Sequence, residues 1–513
     1  MPVLNWIGKE SVVNHDKEVP FRLLKKVKSS SLGENSQNLV IHGDNLEALK
    51  ALMPYYCGKI DVIYIDPPYN TGAEDWIYND NVNSPKIKNW LGKIVGGETE
   101  DLCRHDKWLC MMYPRLKLLK ELLADQAVIF ISIDENELSD LLLICDEIFQ
   151  KNNHCGTFVW QKKYGGGNDS GKIATEHEYV VCYSKIKQTD EWLEPHTEKY
   201  LKRYKEEDSV GRFFWDTLER PGLRNPIEIE IKYKEKIYTL QTFRSQKRVD
   251  EELKTGEIRI VEINNRLSFQ FKQRLREGKK PRSILQDRKE LIEEGFVKIG
   301  SNSTAKEELV ELLGKSMFNN PKPTLLIKYL IRLVNKKDCL VLDSFAGSGT
   351  TGHAVLDLNK DDGEKRKFIL VELEDDIANK VTAERIRQAV KKFEYGEGFE
   401  FCELDKQLFN EDGQIEQECT FDQLATYIYF TETNMNIDKK AISENLIGGY
   451  NETNYYLIFK EKGKNILNKV FLKKVQKDSK NKVIYADKCL IDEDVLDKYN
   501  IQFKQIPYEI KVY

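Results

Sequence analysis

Residues 62–70 read VIYIDPPYN and carry the first group of residues with chemical potential. Val62 to Ile65 are strand formers and predict a buried strand. It runs straight into Asp66, Pro67, Pro68 and Tyr69. An acid that accepts hydrogen bonds, a carbonyl stiffened by prolines and a ring that can stack on a planar ligand stand together there. A plain strand-to-turn junction would use the same residue types.

The second group lies in LVLDSFAGSGTTGHAV, residues 340–355. Gly347, Gly349 and Gly352 form a GxGxxG between a predicted strand and a predicted helix, and Glu372 closes the next predicted strand. Such glycines let the backbone approach a ligand, and an acid at the next strand end can accept from ribose hydroxyls. On this group alone, a nicotinamide or flavin enzyme and a tight turn without a ligand both remain open. Asp343, at the strand end, suits a pyrophosphate poorly. It suits a cationic nucleoside such as S-adenosyl-L-methionine better.

The elements that must position these groups alternate between strand and helix. NLVIHGDNLEALKALMPYY predicts strand, turn and helix, with Asp44 or Asn45 as the helix cap. A helix over about Trp108 to Leu123, the strand AVIFISI, a helix over about Glu135 to Phe149, and the strands TFVWQKK and EYVVCYSK follow. Residues 70–106 predict a long polar loop. After residue 187 the pattern breaks into short charged segments, and α/β alternation resumes near 316. The expected organisation is an extension over 1–37, one half of an α/β domain over 38–186, an insertion over 187–316, the second half over 317–394, and a small α+β unit over 395–513.

Composition excludes several classes. No run of about 18 apolar residues is present, so no membrane span is expected, and the first residues lack a signal-peptide core. Ten cysteines occur without CxxC or Cys/His ligand spacing, which fits a reducing cytoplasm and predicts no structural metal. Cys110, Cys145 and Cys339 are expected in the core. The net charge is −5, yet residues 231–290 hold 17 Lys/Arg and 9 Asp/Glu, a local +8 that leaves −13 on the remainder. That basic island is either a phosphate-facing surface or a salt-bridged face.

Taken together, DPPY and DSFAGSGTT resemble the DNA amino-methyltransferases that alkylate exocyclic nitrogens. The catalytic motif precedes the cofactor motif, which is the permuted β-group order. HGDNLEAL, HDKWLCMMYPRLKLLKELL, AVIFISIDENE and NNPKPTLLIKYL fall in consistent order around them. The pattern is most similar to the modification subunits of type III restriction–modification systems, over about residues 38–186 and 316–378. The resemblance implies a Rossmann-like methyltransferase fold with a mixed, mostly parallel sheet, an inserted target-recognition domain and a small C-terminal domain.

It also implies roles. Asp66 and the Pro67 carbonyl would accept from the target amine, with Pro68 stiffening the turn and Tyr69 stacking on a flipped base. S-adenosyl-L-methionine would lie against Asp343, Phe345, Ala346, Gly347, Ser348, Gly349 and Thr350. Glu372 would take the ribose hydroxyls, Asp44 with Asn45 the adenine, and Lys322 with Pro323 the methionine end. No metal is implied.

Asp66, where many cytosine-N4 enzymes carry Ser, favours adenine-N6; cytosine-N4 is the alternative. Double-stranded DNA would be held by basic residues of the insertion: Arg244, Lys247, Arg248, Lys272, Arg274, Arg276, Lys279 and Lys280. A homodimer is expected, in the bacterial cytoplasm. No GxxxxGK[ST] loop is present, so cleavage would need a separate helicase–nuclease subunit. A dinucleotide oxidoreductase leaves DPPY unexplained, and a non-catalytic DNA-recognition subunit leaves its intact side chains unexplained.

Overall fold

The computed structural model describes residues 4–33, 36–71, 85–95, 103–165, 173–188, 191–194, 196–220, 222, 224–263, 266–293, 297–409, 414–416, 419–438, 442–460, 465–475 and 478–506. Most of the loop expected over 70–106 lies outside the described residues. Two compact units are present: 1–190 with 282–287 and 298–513, and 191–281 with 288–297.

The larger unit is built on a ten-stranded sheet. Across it the order is Arg22–Lys26, Glu400–Gln407, Leu39–His42, Lys367–Glu372, Leu340–Asp343, Ile60–Ile65, Leu123–Ile133, His177–Ser184, His154–Gln161 and Ile284–Leu285. Arg22–Lys26 and His177–Ser184 run against their neighbours, and the others share one direction. All six residues of Ile60–Ile65 are buried, as a parallel strand covered on both faces requires. Long helices such as Asn45–Tyr56, Arg104–Leu122, Thr324–Leu333 and Thr350–Asp362 contribute further buried apolar residues. Cys110, Cys145 and Cys339 are buried, as expected.

Leu340–Asp343 lies directly beside Ile60–Ile65, with Val341 opposite Val62. Strands far apart in the chain thus become neighbours, and their C-terminal ends open on one side. In open α/β sheets such a crevice is where ligands bind.

The expected boundaries shift in three places. The N-terminal extension joins the main sheet: Arg22–Lys26 pairs antiparallel with Glu400–Gln407, an assignment no local pattern announces. Residues 298–316 belong to the larger unit, where Asn302–Leu313 forms a helix capped by Ser301. The C-terminal region also lies in the larger unit. It supplies Glu400–Gln407 to the main sheet before forming its own four-stranded sheet from Leu446–Tyr450, Thr453–Leu457, Asn481–Ala486 and Ile501–Gln505.

The smaller unit holds a four-stranded sheet, including Gly211–Thr217, Ile258–Ile263 and Arg266–Arg274, and the hairpin Ile227–Tyr233/Lys236–Thr242. Its core gathers Leu218, Ile229, Ile231, Leu240, Val249, Ile258, Phe269 and Phe271. Among the described residues no helix is long and apolar enough to cross a membrane.

Candidate active site

Four strands of the parallel part of the sheet each end in, or just before, an acid. Asp44 follows Leu39–His42, Glu372 ends its strand, Asp343 ends the next, and Asp66 follows Ile60–Ile65. A period-two strand can bury its apolar body and still present a polar residue at its mouth, where the ladder stops.

Asp66 is buried at 7 % exposure. Lys322 Nζ donates to its Oδ1 and Oδ2 at 2.8 and 2.7 Å. The Tyr69 hydroxyl lies 2.8 Å from Asp66 Oδ1 and 3.1 Å from Glu178 Oε2, so two carboxylates share one phenolic proton. Lys162 Nζ donates to Glu178 Oε1 at 3.0 Å, and Lys322 lies 3.5 Å from Glu178 Oε2. Lys322 also sits 5.0 Å from the Tyr69 ring centre. Burial pushes the Asp66 carboxyl above its ordinary range, with Lys322 pulling against it. Burial alone would lower Lys322, but the two carboxylates outweigh it and hold the ammonium protonated.

The turn itself is anchored. The Trp108 indole donates to the Pro68 carbonyl at 2.7 Å. Asn70 adopts φ 58° and its amide donates to the Arg104 carbonyl at 3.0 Å. Glu137, fully buried, also accepts from Asn70 and from His105. His105, Glu137 and Asp140 bring three potential ligand atoms within 4.8 Å of one another. His105 and Glu137 stand 32 residues apart in the chain, so no ligand spacing marks them.

The glycine turn is built by close approach. Gly347 (φ 48°) leaves no room for a Cβ, which would meet Phe318 at 2.8 Å; a Cβ on Gly349 (φ 75°) would meet the Thr382 carbonyl at 2.9 Å. Asp343 accepts from Thr351 Oγ1 at 2.5 Å and from the Phe345 amide at 3.0 Å. Burial pushes its carboxyl up to about 7. Glu372 accepts from the Gly347 and Glu374 amides at 3.0 and 2.9 Å, and burial pushes it well above the carboxylate range. The Ala346 amide donates to the Val371 carbonyl at 3.0 Å. Ser348 and Thr350 both accept from the buried Arg385 guanidinium, at 3.1 and 2.7 Å.

Asp44 caps its helix, accepting from the Leu46 and Glu47 amides at 2.8 and 3.3 Å. Its other oxygen takes Arg115 at 3.2 Å, and Arg115 Nε donates to Asn45 at 2.5 Å. Asn45 in turn donates to the Ser344 carbonyl at 3.0 Å.

One cavity is lined by Tyr64, Asp66, Lys322, Asp343, Phe345, Ala346, Gly347, Ser348 and Thr350, with Phe318 and Thr351 among the others. Lys322 therefore faces the catalytic-motif acid as well as the cofactor turn, a closer tie than the sequence implies. Glu178, Lys162, Arg115 and Arg385 escape sequence reasoning. The one signal is a Glu at the start of the apolar run EYVVCYSK.

In the smaller unit six of the eight basic residues expected to hold DNA are ion-paired. Arg244 is buried, paired with Glu252 and packed 4.1 Å from the Phe271 ring centre, so it is a packing residue rather than a surface cation. Arg248 pairs with Glu252, Lys272 and Arg274 with Asp208 and Glu257, Lys279 with Glu194 and Lys280 with Glu191. Lys247 and Arg276 are exposed. Asp208, Glu194 and Glu191 come from outside the run and reduce its +8 without cancelling it.

The parallel sheet with an acid-ended proline turn beside a glycine turn defines the class, a Rossmann-like methyltransferase fold in permuted order. The chain belongs to the N6_N4_Mtase family, described as DNA methylase, whose model matches residues 60–384. It is 33% identical over 402 residues to the type III restriction–modification enzyme StyLTI Mod subunit of Salmonella typhimurium, covering 74% of this chain and 60% of the relative. It is 33% identical to the EcoPI Mod subunit of Escherichia phage P1, covering 76% and 68%, and 30% identical to the EcoP15I Mod subunit of Escherichia coli, covering 78% and 71%. The matched part thus spans 60 to 71% of the length of these relatives. Among solved structures, a Thermus thermophilus protein described as a putative DNA modification methylase, complexed with S-adenosyl-L-methionine, matches at 15% identity and TM-score 0.34, over 72% of this chain and 100% of the other. The cytosine-N4-specific PvuII DNA methyltransferase matches at 13% and 0.35, over 71% and 95%.

Proposed function

We propose that this chain transfers a methyl group from S-adenosyl-L-methionine to the exocyclic N6 of an adenine flipped out of duplex DNA. The observation that carries this reading is the shared cavity onto which Asp66, Asp343, Lys322 and Gly347 open. Family membership and the Mod names of the relatives support it.

The residues present fit the cofactor. Asp343 and Glu372 are buried carboxyls pushed up by burial, and a nearby cation or a hydroxyl donor relieves that kind of cost. The Ser344 hydroxyl is buried without a hydrogen-bond partner among the described residues. S-adenosyl-L-methionine supplies a methyl group made electrophilic by its sulfonium.

The chain's own groups supply positioning. An exocyclic amine conjugated with its ring is a poor nucleophile. Asp66 and the Pro67 carbonyl accept its two N–H bonds and hold its lone pair in line, which can lower a barrier by several kcal/mol. Flipping costs a few kcal/mol, and stacking on Tyr69 recovers about 1–3 kcal/mol. In the present arrangement Lys322 and the Tyr69 hydroxyl occupy Asp66, so both must yield to the amine.

The inserted unit would read the DNA sequence, the chain would act as a homodimer on cytoplasmic DNA, and cleavage would reside in a separate restriction subunit. Incubation with methyl-labelled S-adenosyl-L-methionine and DNA bearing its site is the test. Label enters DNA with wild type and not with Asp66→Ala, while NAD neither binds nor competes. Label-free DNA with wild type would reject the proposal. Light scattering of the chain with and without DNA checks the dimer.

A further inference from the structure

Glu178 lies on the His177–Ser184 strand, the reversed strand beside Leu123–Ile133, and belongs to neither motif. It is buried at 6 % exposure, yet it touches three charged or polar groups of the site. Its Oε2 lies 3.1 Å from the Tyr69 hydroxyl and 3.5 Å from Lys322 Nζ, and its Oε1 accepts from Lys162 at 3.0 Å. Burying a carboxylate is costly, so a chain keeps one in such a place when its partners require it.

We infer that Glu178 is a positioning residue of methyl transfer: it takes over Lys322 and the Tyr69 hydroxyl when the target amine displaces them from Asp66. The inference rests on the proposed function. Two ammonium groups and two carboxylates face one another here, so the cluster balances before and after the exchange. Lys322 needs to travel little, since both acids already lie within 3.5 Å of its nitrogen. Without Glu178, releasing Asp66 would strand a buried ammonium. Lys162 fixes Glu178 from its other oxygen and leaves Oε2 directed at the exchange.

The charged and titratable groups that face Asp66 come from every neighbouring element. They are Lys322 before the Thr324–Leu333 helix, Glu178 on its strand, Tyr69 in the turn, Tyr64 on Ile60–Ile65 and Asp343 at its strand end. Lys162 acts through Glu178. Glu178→Gln removes a negative neighbour and lowers the Asp66 pKa. Lys162→Gln removes a positive one and raises it. The two shifts are opposite in sign.

Two readouts test this in the full chain. In single-turnover methylation, Glu178→Gln should slow transfer about tenfold or more, since Lys322 stays locked on Asp66. Its acid limb should move to lower pH and that of Lys162→Gln to higher pH, with the affinity for S-adenosyl-L-methionine within about threefold. In the ligand-free protein, carbon-13 titration of the Asp66 carboxyl, assigned with Asp66→Asn, should move in the same opposite directions. Wild-type rates in Glu178→Gln, or slowed variants without opposed shifts, would overturn the inference. Opposed titration shifts in a protein that methylates no DNA would leave this cluster as described and reject the proposed function instead.

Discussion

Lys322 grips both carboxylate oxygens of Asp66, at 2.8 and 2.7 Å, across 256 residues of chain. The pair ties the segment that precedes the glycine turn to the DPPY turn. Both groups line the cavity they share with the glycine turn, and in the proposed reaction they must part before a substrate can bind to Asp66.

Lys322→Met should leave Asp66 buried without this cation, and breaking such a pair costs about 3–5 kcal/mol. The remaining carboxyl would have a folded pKa further above its unfolded value. A group raised in the folded state favours folding below its unfolded pKa and loses that contribution as pH rises through the folded one. Denaturant unfolding at pH 5 and pH 8 should therefore show the larger deficit at pH 8. An equal deficit at both would place the cost elsewhere.

Asp343, pushed up to about 7, carries a second pH dependence. A bound cation favours its ionised form, so binding of S-adenosyl-L-methionine should expel a proton and tighten as pH rises from 6 toward 8. Calorimetry in buffers of different ionisation enthalpy reads that proton directly. Asp343→Asn should bind more weakly and lose the pH dependence.

Gly349 and Gly363 share φ 75°, but only a Cβ on Gly349 meets backbone, the Thr382 carbonyl at 2.9 Å. Gly363→Ala should cost the left-handed strain alone, about 1–2 kcal/mol. Gly349→Ala should cost about 1–3 kcal/mol beyond that from overpacking, and weaken cofactor binding. Melting curves with and without S-adenosyl-L-methionine distinguish the two.

In the inserted unit, Arg244→Ala should lower the melting temperature, because Arg244 pairs with Glu252 and packs on Phe271. Arg276→Ala and Lys247→Ala, at exposed positions, should leave it unchanged. If either contacts phosphate, DNA affinity falls and the salt slope drops by about one. Salt titrations of DNA binding separate these effects.

What is legible in the sequence is local. Asp66, Asp343 and Glu372 mark where apolar runs stop, and Gly347, Gly349 and Gly352 mark a backbone that a side chain would obstruct. Asp44 is legible both as a cap and as a ligand candidate, and it does cap its helix. What is not legible depends on pairing between distant segments. Arg22–Lys26 becomes a strand only against Glu400–Gln407. Glu178 meets the Tyr69 phenol, Lys322 the Asp66 carboxylate and Lys162 the far oxygen of Glu178 only after their strands and loops are placed. The pairing of the basic island is hidden for the same reason: Asp208, Glu194 and Glu191 lie outside the stretch, and they reduce its +8 without cancelling it.

Mass spectrometry of nucleosides from DNA methylated by the purified chain tests the central claim most directly. Wild type should yield N6-methyldeoxyadenosine, and Asp66→Ala none. N4-methyldeoxycytidine in its place, or no methylated nucleoside from wild type, would contradict the account.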